Sequence, residues 1–113
     1  MTRPFDRERY DQALAEGAGE YRDVLDALKA LGIDAQFTQT GGMRAAIEAS
    51  LEDATSLLIT DSEDSLSWQR DDHIGWGVGV YEIDAPDEPI WFETVDDGSL
   101  QALIGLIDRA LRR

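Results

Sequence analysis

The sequence predicts an α+β fold, an antiparallel meander of about five strands with an N-terminal and a C-terminal helix packed on one face. Three observations carry this reading. At both ends of the chain apolar residues recur at three- and four-residue steps, the period of a helix lying on a core. Between these ends, apolar residues either alternate with polar ones or run together in short stretches, as strands do. Short Gly-, Asp- and Pro-containing segments join most of the stretches and leave no room for the helical crossovers of a parallel sheet. At 113 residues the chain reads as a single compact domain, 1–113, large enough for one core.

Residues 7–31 read as an amphipathic helix. Tyr10, Leu14, Tyr21, Leu25, Leu28 and Leu31 form a stripe, Val24 lies beside it, and charged residues fill the other side. Asp6 is placed to cap its start and Gly32 to end it. Gly17 and Gly19 each weaken the middle by about 1 kcal/mol relative to Ala, so a kink or a break into two helices would fall there. From Ile33 to Gln39 the pattern alternates, with Ile33, Ala35 and Phe37 on one side of a half-buried strand. Gly41-Gly42 is a hairpin signal. Met43, Ala45, Ile47, Ala49 and Leu51 alternate as a strand would, although Met43, Ile47 and Leu51 also suit a helix. The double Gly before them and the Glu52-Asp53 turn after them favour strand.

Thr55 to Thr60, with Leu57-Leu58-Ile59 at its centre, reads as a central strand. Residues 61–72 are polar and acidic, interrupted only by Leu66 and Trp68, and read as a long loop. In the next strand Ile74, Trp76, Val78 and Val80 share one face. Asp84-Ala85-Pro86-Asp87-Glu88-Pro89 is a turn by composition. Ile90 to Val95 is the last strand, where Trp91 and Phe92 face opposite ways, so one aromatic points away from the helices. Ser99 caps a final helix with the stripe Leu100, Leu103, Ile104, Ile107 and Leu111.

Charge is the chain's strongest bias. The net value is −14, and the stretch from Asp61 to Asp97 holds twelve acids against one base, Arg70, for a net −11. No pairing inside the stretch can neutralise it, so it projects a negative field that cations or a basic surface can quench. Direct binding to nucleic acid or to an anionic membrane is disfavoured, because phosphates require clustered Lys and Arg. The arginines that do cluster are Arg3, Arg7 and Arg9, and Arg109, Arg112 and Arg113, the latter sitting where a C-terminal helix favours cations against its dipole. Without Cys, disulfides, thiolate metal sites and Cys nucleophiles are excluded. No apolar run approaches the roughly 20 residues of a membrane span, and the first residues lack a signal-peptide core, so the expectation is cytoplasmic.

Several constellations have residue types that could carry chemistry. Gly75, Gly77 and Gly79 alternate along a strand instead of opening a helix, which argues against a phosphate loop and for a strip without side chains. His73 is the chain's one histidine and follows Asp71-Asp72. It could join carboxylates around a divalent cation, or act as base for Ser62, Ser65 or Ser67, but a lone histidine at a loop–strand junction is more often a solvated polar residue. Asp61-Ser62-Glu63-Asp64-Ser65 lacks the glycine and the terminal acid of a calcium loop. No cofactor, metal or catalytic set is assigned.

The reading that follows is a non-catalytic acidic binding protein that docks on a basic surface of a partner protein, as inhibitors, immunity or antitoxin proteins and nucleic-acid mimics do. The expected contact residues are Asp61, Glu63, Asp64, Trp68, Asp71, Asp72, Asp87 and Glu88, with Trp68 as an apolar anchor ringed by carboxylates. The order helix–meander–helix, together with the acidity, is similar to that of small acidic secretion chaperones. That similarity implies a homodimer serving a client protein. A cation-dependent ligand binder or enzyme centred on His73 is the alternative from another class.

Overall fold

The N-terminal helical stretch is two helices in a computed structural model of the chain, which describes residues 7–41, 44–51, 54–62, 65–67 and 73–113. Helix α1 spans Arg7–Glu20 and α2 spans Arg22–Ala30. The break falls at Tyr21 (φ −109°, ψ 25°) and not at the glycines. Gly17 lies within α1, and the Phe37 ring lies against its backbone where any β-carbon would overlap the ring. Tyr21 is fully buried and its hydroxyl donates to the Ser67 carbonyl at 2.7 Å. A tether to the distant loop thus fixes the break.

Helix α2 ends as its sequence predicts. Gly32 takes φ +80°, its N–H donates to the Lys29 carbonyl at 3.0 Å, and the Ile33 N–H donates to Leu28 at 2.9 Å. These are the paired bonds of a Schellman cap, and the buried Leu28 and Ile33 supply the accompanying apolar contact.

The strands are β1 Ala35–Gly41, β2 Arg44–Ser50, β3 Thr55–Thr60, β4 Trp76–Glu82 and β5 Ala85–Val95. All neighbours are antiparallel and the sheet order is β1-β2-β3-β4-β5, the predicted meander. Residues 44–50 are strand, as the flanking turns implied. The registers align Phe37, Ile47, Ile59 and Val78 in one row and Ala35, Ala49, Leu57, Val80 and Trp91 in the next. This face carries the core. Helices α1 and α2 cover its β1 side, and α3 (Leu100–Arg112) covers β4 and β5.

Three elements depart from expectation. Ile74 precedes β4 and is 73% exposed, because its N–H and that of Gly75 turn to the Asp61 carboxylate instead of continuing a ladder. The acidic segment 84–89 is not a separate turn. The chain reverses at Ile83 and Asp84, and β5 begins at Ala85. Pro86 and Pro89 are tolerated because β5 is an edge strand, and register shifts near Tyr81 absorb them. Helix α3 buries Leu103, Leu106, Ile107 and Ala110, while Leu111 is exposed. The alternative stripe through Ile104 and Leu111 shares Leu103 and Ile107, so the sequence period alone did not choose between them. No helix among the described residues is long and apolar enough to cross a membrane.

Candidate functional site

Rows of the sheet sort the acids by position. Thr55, Glu82 and Ala85 align at one end of the strands, beside the row of Ser50, Ser56, Tyr81 and Pro89. Asp34, immediately before β1, Asp84 in the β4–β5 turn and Glu88 on β5 belong to this same end. At the opposite end lie Asp61, His73, Asp96, Asp97 and the start of α3. Six strand residues separate the two ends, about 20 Å at 3.3 Å per residue. That distance exceeds the Debye length of about 8 Å at physiological salt, so the two ends act as separate fields.

The end near α3 is built around a carboxylate turned inward. In β3 the residues Leu57 and Ile59 face the core, and Asp61 follows in the same phase, only 8% exposed. Its Oδ1 accepts from the backbone N–H groups of Ser62 at 2.8 Å and Gly75 at 3.0 Å, and its Oδ2 from Ile74 at 3.1 Å. The His73 Nδ1 lies 3.0 Å from Oδ2, at ion-pair distance without the alignment of a hydrogen bond. Burial is the largest single influence on the Asp61 carboxyl and raises it. The amides of Gly75, Ile74 and Ser62 with the His73 charge outweigh burial together and hold it below its ordinary value.

His73 is not solvated. Its side chain is 0% exposed, 3.8 Å from the Trp76 ring centre and edge-on to Tyr21, which itself stacks on Phe37. The Trp76 indole N–H donates to the Ser99 carbonyl at 2.8 Å, at the start of α3. Ser99 caps that helix by accepting from Ala102. Asp97 accepts from the Ser99 amide at 2.8 Å, and that bond first, then the Ser99 hydroxyl, holds its carboxyl below the ordinary value. Leu66, 1% exposed, bridges to Ala45 and brings the returning loop onto the core. Asp61 and His73 therefore clasp the two roots of the acidic loop to the aromatic end of the core. With three amide donors on its oxygens, Asp61 has little acceptor capacity left for a cation or a substrate proton. Among the described residues no group of three His, Asp or Glu gathers at metal-binding distance.

Of the expected contact residues, Asp61 points into the molecule and Glu88 is exposed on β5. Glu63, Asp64, Trp68, Asp71 and Asp72 lie outside the described residues, as does the side chain of Asp87. Asp61 and Glu88 are at opposite ends of the sheet and do not share one surface. Sequence reasoning missed Asp61 as a clasp, although extending the Leu57–Ile59 alternation by one step would have turned it inward. It also missed Glu82, Asp84 and Asp34, which the meander places along one rim.

The rim carries part of the exposed charge, as do α1, α2 and the Asp96-Asp97 end. Glu82, Asp84, Glu88 and Asp34 are exposed, and Ile83, 54% exposed, stands between two of them. The arginines of α3 reach elsewhere, Arg109 to Glu93 at 2.8 Å and Arg112 to Asp108 at 3.0 Å. The glycine strip faces away from the helices. A β-carbon on Gly77 would sit 2.8 Å from the Asp61 carbonyl, and the Tyr81 and Phe92 rings lie over Gly79. Phe92 is the aromatic that points outward, while Trp91 packs on the core. Comparison with known protein families, curated proteins and solved structures found no match for this chain.

Proposed function

We propose that the chain is a non-catalytic binding protein that docks on a basic surface of a partner protein through the carboxylate rim at one end of its sheet. The observation that carries this is the set Asp34, Glu82, Asp84 and Glu88, exposed and without ion-pair partners among the described residues. The five-strand order spreads this set over four interstrand spacings, about 19 Å. A net charge of −14 adds a long-range field that speeds encounter with a cationic patch, and Ile83 offers a small apolar contact inside the rim. Inhibitors and immunity or antitoxin proteins of this kind favour association rate and specificity over area. The carboxylates gather at strand ends and do not form a regular ladder, which favours such a protein over a nucleic-acid mimic.

The test is retention. Immobilised protein is incubated with soluble host proteins at low salt and eluted on a salt gradient, alongside an E82K/D84K/E88K variant. A discrete basic protein released by salt from the wild type and absent from the variant supports the reading. Equal retention by both overturns it.

A further inference from the structure

The two edges of the sheet are treated differently by the sequence. Edge strand β5 carries Pro86 and Pro89, which donate no N–H, together with Asp87, Glu88 and Glu93, and its register shifts twice. Each of these features discourages another strand from pairing there. Edge strand β1, Ala35-Gln36-Phe37-Thr38-Gln39-Thr40-Gly41, has neither a charge nor a proline. It pairs with β2 in continuous register from Ala35 to Gln39, and among the described residues no strand pairs with its other side. Alternate N–H and C=O groups of β1 therefore point outward as a row of donors and acceptors. In a chain with 24 acids, such an uncharged edge stands apart.

Beside the start of β1 is a groove of about 390 Å³, lined by Asp34, Ala35, Gln36, Glu48, Ala49 and Ser50. Its two charged residues are both carboxylates, and both are exposed. A Lys or Arg side chain has the charge and reach to enter it. A second copy of this chain brings −14 of its own and the same acidic rim, so self-pairing works against repulsion.

We propose that β1 is a strand-addition site. An extended basic segment of the partner would pair with its outer edge and place a cationic side chain in the Asp34–Glu48 groove. Main-chain hydrogen bonds supply affinity in this mode, and the groove supplies selectivity for the cation. The inference rests on the basic-partner reading and adds to it how the partner's chain is held.

The test uses the full chain, isotopically labelled, and a defined probe, an alternating Lys–Val decapeptide. Two control peptides accompany it: a Glu–Val counterpart, and a Lys–Val peptide N-methylated at alternate residues so that one edge cannot hydrogen-bond. Binding should raise exchange protection at β1 amides and shift the signals of Gln36 and Thr38. The Glu–Val peptide should fail, and N-methylation or Glu48→Lys should each weaken binding about tenfold, which is roughly 1.4 kcal/mol. Because Glu48 is exposed, its variant should fold, and its exchange pattern checks this. Equal affinity for the N-methylated peptide, or shifts confined to residues 82–88, would overturn strand addition while leaving basic docking intact. A dimeric free protein with β1 amides already protected would assign the edge to a second copy and overturn it as well.

Discussion

Replacing Asp61 by Asn removes one charge and one acceptor where the acidic loop is tied to the core. The Asn oxygen can keep the amides of Ser62 and Gly75, which lie 2.8 and 3.0 Å from Oδ1. Its NH2 group then stands where Oδ2 accepts from Ile74 at 3.1 Å, donor against donor. A lost hydrogen bond to a charged acceptor costs about 1.5–3 kcal/mol, and the enclosure of Asp61 puts this one at the upper end. The two bonds retained lose their charge assistance. A total of about 3 kcal/mol corresponds to a fall in Tm on the order of 10 °C for a chain of this size. The pH dependence gives a second reading. A carboxyl held below its ordinary value stabilises fully above its unfolded value of roughly pH 4, and this stabilisation is lost as pH falls through the folded value. The difference between wild type and variant should therefore be full at neutral pH and shrink in acid. Thermal unfolding and urea unfolding, both followed by tryptophan fluorescence across this range, measure the Tm and the pH dependence. A variant melting within about 2 °C of wild type at neutral pH, or a difference unchanged in acid, would refute the clasp.

Four further substitutions probe the packing and the cap of α3. Gly17→Ala should destabilise by about 1–2 kcal/mol, because a β-carbon meets the buried Phe37 ring and overpacking outweighs the helix-propensity gain. Gly19→Ala, with open space around it, should stabilise by up to about 1 kcal/mol, and urea midpoints should show the opposite signs. Gly75→Ala should cost more than about 2 kcal/mol in the same assay, since its β-carbon would overlap the Val95 carbonyl, which is backbone held in the sheet. Ser99→Ala removes the cap on Ala102 and should cost about 1 kcal/mol, seen as faster amide exchange in the first turn of α3.

The meander was legible because each strand carries its own period and its own turn. Gly32 announced the end of α2, and the turn signals Gly41-Gly42 and Glu52-Asp53 on either side chose strand over helix for residues 44–50. What the sequence left open depends on partners distant along the chain. The helix break depends on Tyr21 reaching Ser67, 46 residues away. Pro86 and Pro89 read locally as a turn, and only the edge position of β5 lets them lie in a strand. His73 looked like a surface residue because nothing nearby in sequence shows that Asp61, Tyr21 and Trp76 enclose it. The charge surplus was plain, but its division between two ends of the sheet required the registers.

The association rate of the captured basic partner, followed against ionic strength for the wild type and for E82K/D84K/E88K, tests the docking surface most directly. With the rim as the steering element, the wild-type rate falls by about tenfold or more between roughly 0.05 and 0.5 M salt, while the variant starts slow and changes little. Matching rates for the two proteins, or a wild-type rate indifferent to salt, would contradict it.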